Sequence, residues 1–179
     1  MERIIIRKLK RSDFAEYYKT ELSYYKELKK DPTFGIGTYG KQYTKKSIKN
    51  SFSRLLEEMS SHKSVVLVAV NEKGNIVGIG DLRRSMLPEA PHIADIGYSV
   101  VKEYRSKGIG TNIVKELLKR AKDKYEIITA NTFSSNIASK KLLKKLGFKR
   151  WGLGPKFVKR GKLYIDTELF YLKLKNDLR

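Results

Sequence analysis

The chain has 179 residues, 40% hydrophobic and 32% charged, the proportions of a soluble globular protein with one buried core. It contains no cysteine and two histidines, which excludes disulfides and thiolate chemistry and argues against a His-rich metal site. Lys and Arg outnumber Asp and Glu by 39 to 19, a formal charge of +20 that admits an acidic partner such as nucleic acid, a ribosomal surface or an anionic cofactor. The lysines are spread along the whole chain rather than gathered in one arm, which favours solvated helix faces over a dedicated polyanion site. No apolar run approaches a membrane span, and MERIIIRKLKR lacks the apolar core and cleavage site of a signal peptide. The expectation is a cytoplasmic single domain over residues 1–179, monomeric or homodimeric, with no membrane partner.

Arg3–Leu9 is a β-branched run and reads as a first strand. Ser12 or Asp13 caps the helix that follows, and Asp13 with Glu16 has capping-box spacing. Phe14, Tyr17, Tyr18, Leu22, Tyr25 and Leu28 line one helical face until Asp31-Pro32 ends it. Thr33–Lys41 is glycine-rich, but no apolar strand precedes Gly35-x-Gly37, so it reads as a loop able to wall a substrate site rather than as a nucleotide loop. Thr44 caps a second helix with Ile48, Phe52, Leu55, Leu56 and Met59 on one face. Ser60-Ser61-His62 ends that helix, where His62 suits the dipole better than it suits catalysis.

Val65–Val70 is a continuous apolar run, the pattern of a strand buried on both faces. Asn71–Asn75 turns it back into Ile76–Leu82, and Pro88–Pro91 leads to a third strand, His92–Val101, completing an antiparallel meander. A third helix starts at Thr111, with Ile113, Val114, Leu117, Leu118 and Ala121 on its apolar face. Glu126–Ala130 is a strand; Ser134 or Ser135 caps a fourth helix striped by Ala138, Leu142, Leu143 and Leu146 and stopped by Gly147. Phe148–Trp151, Lys156–Val158 and Tyr164–Leu174 supply the final strands, with Arg160-Gly161-Lys162 as the turn before the last. The pattern is α+β: a mostly antiparallel twisted sheet of about seven strands flanked by about four helices.

The chemistry concentrates in Tyr98–Thr111, YSVVKEYRSKGIGT, where a strand passes through a glycine turn into a helix. Glycines let the backbone approach an anion, and a helix N-terminus offers unpaired N–H groups and partial positive charge. Lys107-Gly108-Ile109-Gly110-Thr111 lacks Walker spacing and has no Lys-Ser/Thr pair to hold Mg²⁺, so a metal-free pyrophosphate cradle fits, with Arg105 and Lys107 neutralising. An ordinary strand–helix turn with a glycine pair is the other reading.

Val100-x-x-x-x-Arg105-x-x-Gly108-x-Gly110, an amphipathic helix, the strand EIITAN, and N-x-x-S-x-x-x-L-x-x-x-G-F over Asn136–Phe148 together resemble the GNAT superfamily of acetyl-CoA-dependent N-acetyltransferases. The resemblance is strongest over residues 92–151. Ser139, Leu143 and Ala94-Asp-Ile-Gly-Tyr98 resemble the Rim-type subgroup that acts on ribosomal-protein N-termini. It implies acetyl-CoA as donor, no metal, and an amine acceptor: a protein N-terminus or an amino-acid-like small molecule. Backbone groups of Tyr98, Ser99 and Val100 would pair with the pantetheine arm, and the Val100 N–H would polarise the thioester carbonyl. Arg105, Ser106, Lys107, Gly108, Ile109, Gly110 and Thr111 would hold the pyrophosphate. Asn131, Asn136 and Ser139 would contact pantetheine or acceptor, although Asn136 also reads as a helix-start residue.

Many members of the superfamily carry an acidic Tyr in the fourth helix; here that position is Leu143, leaving Ser139, Tyr98 or water to protonate the leaving thiolate. Asp95, a carboxylate in an otherwise apolar strand, is the candidate base, with Glu89 and a water relay as alternatives. Two other readings stand beside this one: a CoA-binding member that does not catalyse, and a basic nucleic-acid-binding module.

Overall fold

A computed structural model describes residues 2–33 and 43–174. Seven strands form one sheet in the order β1-β2-β3-β4-β5-β7-β6. They are β1 (Ile5–Lys8), β2 (Ser64–Val70), β3 (Ile76–Arg84), β4 (Ile93–Val100), β5 (Ile127–Phe133), β6 (Lys149–Arg160) and β7 (Leu163–Lys173). The helices among the described residues are α1 (Phe14–Lys30), α2 (Lys45–Ser60), α3 (Ile109–Ala121) and α4 (Ile137–Lys145). Every strand pair is antiparallel except β4 with β5. The mixed α+β architecture and the β2–β3–β4 meander match the sequence pattern. The Gly35-x-Gly37 loop lies outside the described residues.

The sheet divides two cores. On one face Leu67, Ala69, Leu82, Ala94 and Ile96 meet Ile113, Val114 and Leu117 of α3, with Leu143 of α4 in the same cluster. On the other, Val66, Val68 and Val70 meet Tyr17 of α1 and Ile48 and Phe52 of α2. Thus β2 is buried on both faces, as its unbroken apolar run requires. α3 lies close against the sheet because Gly78 and Gly80 present no side chains to it. A Cβ on Gly80 would come within 2.3 Å of Ile113 Cγ2.

Local readings fail at four points, each for a physical reason. Asp13 precedes α1 but makes no capping box with Glu16: its carboxylate accepts from both Arg7 guanidinium nitrogens, at 2.7 and 2.8 Å, and from the Lys10 N–H. α3 starts at Ile109 rather than Thr111, because Gly108 takes a left-handed conformation (φ +79°) that sets the helix off two residues earlier. α4 is capped by Asn136, whose Oδ1 accepts from the Ser139 N–H at 3.0 Å, not by Ser134 or Ser135. Phe148–Trp151 and Lys156–Val158 belong to one strand, β6, whose pairing with β7 continues through two irregularities.

Candidate active site

The sheet parts at its one parallel junction. Asp95↔Thr129 is the last β4–β5 pair; beyond it β4 continues to Val100 and β5 to Phe133 without pairing to each other. The Val101 N–H donates to the Val77 carbonyl, so alternate residues of β4 turn their backbone groups to β3. By the same alternation Tyr98 and Val100 turn theirs towards the gap. A strand edge whose N–H groups are not used by a neighbouring strand is a template for an extended amide-bearing chain.

The gap leads to the N-terminus of α3. Ser106 (φ +61°) and Gly108 (φ +79°) are both left-handed, and the first intrahelical bond is Asn112 N–H to the Gly108 carbonyl at 3.0 Å. The N–H groups of Ile109, Gly110 and Thr111 therefore have no partner within the helix, and the helix dipole adds positive potential. Gly110 sits close to its neighbours: a Cβ there would lie 3.3 Å from Leu142 Cδ1 of α4 and 3.6 Å from Val100 Cγ2. Lys107 extends its ammonium over the Tyr104 ring at the cradle's edge.

Arg105 has a different setting from the one its motif suggests. Its guanidinium makes a two-pronged pair with Glu27 of α1, Nη1 to Oε1 and Nη2 to Oε2, the latter at 2.6 Å, and Nε donates to the Val100 carbonyl at 2.9 Å. Its charge is thus matched by Glu27, and it fastens the end of β4 to α1. The Tyr24 phenol of α1 is pushed up mainly by burial, and Ser99, on the α1 side of β4, opposes the shift.

On the α3/α4 side of the gap, the Tyr98 hydroxyl and Ser139 Oγ lie 2.7 Å apart. Two groups considered singly as the acid form one hydrogen-bonded pair; burial raises the Tyr98 phenol and the bond to Ser139 opposes it. Leu143 is buried in the core. Asn136 serves as the α4 cap. Asn131 lies on β5 beyond the parting, its Oδ1 enclosed and without a hydrogen-bond partner among the described residues.

On the α1/α2 side, Asp95 accepts from Thr129 Oγ1 at 3.0 Å across the last pair. Desolvation pushes its carboxyl up, against the Thr129 bond and the charge of Arg83. The sequence reading missed Asp81 of β3. It stands opposite Gly97, its Oδ2 is 2.9 Å from Arg83 Nε, and burial pushes its carboxyl to about 6. Glu89 lies exposed in the β3–β4 connection. Among the described residues no cluster of His, Cys, Asp and Glu is arranged to hold a metal.

The acetyltransferase (GNAT) domain family matches residues 3–149. The chain belongs to this family of acetyltransferases. L-amino acid N-acetyltransferase AaaT of Escherichia coli (strain K12) is 26% identical over 96 residues; the match covers 52% of this chain and 59% of that protein. The chain thus matches less than two thirds of that relative's length. The ribosomal-protein-S5-alanine acetyltransferase of Vibrio fischeri shares the fold at TM-score 0.82 and 22% identity, covering 99% of this chain and 96% of the other. A GNAT superfamily phosphinothricin acetyltransferase from Sinorhizobium meliloti, solved in complex with acetyl-CoA, superposes at TM-score 0.77 with 17% identity, covering 96% and 88%.

Proposed function

We propose that this GNAT domain transfers the acetyl group of acetyl-CoA to a primary amine, either a protein N-terminus or an amino-acid-like small molecule. The observation that carries the reading is the continuity of the parted β4 edge with the open N-terminus of α3. The edge suits a pantetheine arm and the helix start suits a pyrophosphate. Acetyl-CoA supplies an activated thioester; the chain supplies position, polarisation and proton transfer. The N–H groups of Ile109, Gly110 and Thr111, with Ser106, Lys107 and Gly108, hold the pyrophosphate. Arg105 supports the cradle by tying β4 to α1 rather than by lending its charge.

The N–H groups of Tyr98 and Val100 face the gap, where one polarises the thioester carbonyl. In this reading the Tyr98–Ser139 pair, hydrogen-bonded at 2.7 Å, protonates the departing thiolate. Asp95 is the base of this reading, its affinity for a proton raised by burial. Asn131 and Asn136 border the pantetheine and the acceptor. Among the described residues no helix is long and apolar enough to cross a membrane.

Thermal-shift titration tests the donor, and a free-thiol assay over amines and short peptides tests turnover. Acetyl-CoA is expected to raise the melting temperature, and an amine to release thiol. Stabilisation by RNA or DNA with none by acetyl-CoA would overturn the reading in favour of a nucleic-acid-binding module. Stabilisation by acetyl-CoA with no thiol release from any amine would favour a non-catalytic CoA-binding member.

A further inference from the structure

We infer that Asp81 receives the acceptor: it reaches over Gly97 to the parting of β4 and β5, binds the incoming ammonium opposite the Asn131 amide oxygen, and takes its first proton. The inference deepens the acetyltransfer reading and rests on it.

Proton counting gives a second group a task. A primary amine arrives as R–NH₃⁺ and leaves as an amide nitrogen bearing one hydrogen, so two protons must depart. The first must go before attack, to free the lone pair. The second leaves as the C–N bond forms and the C–S bond breaks. One proton ends on the CoA thiol and one in solvent. Asp95 can serve the nitrogen during attack. Another carboxylate on the same face could take the first proton from the arriving ammonium.

The register supplies it. Asp81↔Gly97 lies one row beyond Arg83↔Asp95, and its side chain is on the same face as Asp95. Gly97 leaves the way open: a Cβ there would stand 3.0 Å from Asp81 Oδ1. The Asp81 carboxylate therefore lies over β4 two residues nearer than Asp95 to Tyr98 and Val100, about 7 Å along the strand. Across the gap in the corresponding row, two residues past Thr129, is Asn131 with its enclosed, unpartnered Oδ1. Two oxygen acceptors on the same sheet face, one on each side of the parting, suit an N–H donor.

The side chain of Asp81 keeps 21% of its exposure, enough to meet a substrate while largely desolvated. The charged and titratable groups around it are Arg83 on its own strand, Asp95 on β4, Glu58 on α2 and Tyr17 on α1. Burial and the two carboxylates raise its proton affinity and Arg83 lowers it, leaving a group that titrates near 6. Such a group is ionised at neutral pH and still basic enough to accept a proton.

The test is steady-state kinetics of Asp81→Asn against wild type from pH 5 to 10, using the best amine of the panel, with acetyl-CoA thermal shifts alongside. The Asn variant is expected to raise KM for the amine at least about tenfold near pH 7 and to move the acidic limb of kcat/KM up towards the amine's own pKa. It should recover above the amine's own pKa, where the acceptor arrives neutral, and Asp81→Glu should restore part of the loss. Gly97→Ala, whose methyl crowds Oδ1, should shift KM in the same direction without altering the acetyl-CoA shift. An Asn variant with wild-type KM and acidic limb, or a loss that high pH does not rescue, overturns the role of Asp81 while leaving acetyltransfer intact. A wild-type protein that neither binds acetyl-CoA nor turns it over overturns both.

Discussion

At the scale of single residues, Asp81 and Asp13 make opposite contributions to stability. Asp81 is held above its ordinary value of 3.8, at about 6, chiefly by burial, so the folded chain binds more protons than the unfolded one between those values. Stability is therefore greatest with Asp81 protonated and falls as pH rises through 6. Two pKa units correspond to an upper bound of about 3 kcal/mol. Asp81→Asn should thus be more stable than wild type at pH 7.5, by a few degrees in Tm, with the gap closing between pH 6 and 4. An Asn variant no more stable than wild type at pH 7.5 in denaturant melts would refute this. Asp13, held down by Arg7, behaves in the reverse sense: its stabilisation is present at neutral pH and is lost as acid protonates it below the usual carboxylate range. Neither role was legible locally. Asp81 in IVGIGDL reads as the polar end of a strand, and only the register that sets it over Gly97 distinguishes it from a solvated carboxylate.

At the scale of elements, periodicity placed all four helices and the meander, because each has an apolar stripe or run long enough to be read without its neighbours. Boundaries failed where backbone conformation or distant pairing decides them, as at Gly108 and along β6. Two glycines separate these causes experimentally. Gly80→Ala would drive a methyl into Ile113 Cγ2 at 2.3 Å and to 3.0 Å from Leu117 Cδ1, so α3 must shift from the sheet, at about 1–3 kcal/mol. Gly108→Ala meets nothing within 4 Å but must hold φ +79°, about 1–2 kcal/mol of backbone strain. Urea melts should show both losses. The difference lies in function: Gly108→Ala should weaken acetyl-CoA binding by distorting the cradle at least as much as Gly80→Ala does per unit of stability lost. If Gly80→Ala is neutral in stability, the close packing of α3 is not what fixes this helix.

At the scale of the whole molecule, the glycine cradle was readable because its residues are contiguous, whereas the cleft was not. The cleft exists because β4 and β5 pair over three residues and then part, a long-range fact with no local signature. The same holds for charge. The chain carries +20 overall, yet Asp81 and Asp95 lie together on one face of the sheet, the side proposed for the acceptor. In that proposal a positive field far from the site and carboxylates within it would select by ligand charge: an anionic donor would be drawn in, a single ammonium held at close range, and a polycation repelled before it arrives. Raising ionic strength from about 0.05 to 0.5 M shortens the Debye length from roughly 14 to 4 Å and removes the long-range part. KM for acetyl-CoA should then rise severalfold, while KM for a monoamine, set by contact with the half-buried Asp81, should change little. A polyamine such as spermidine should be a poor acceptor at low salt and improve relative to a peptide N-terminus as salt is added. Spermidine turned over best at low salt, with no gain from added salt, would show that the surface charge does not govern which amine reaches the site.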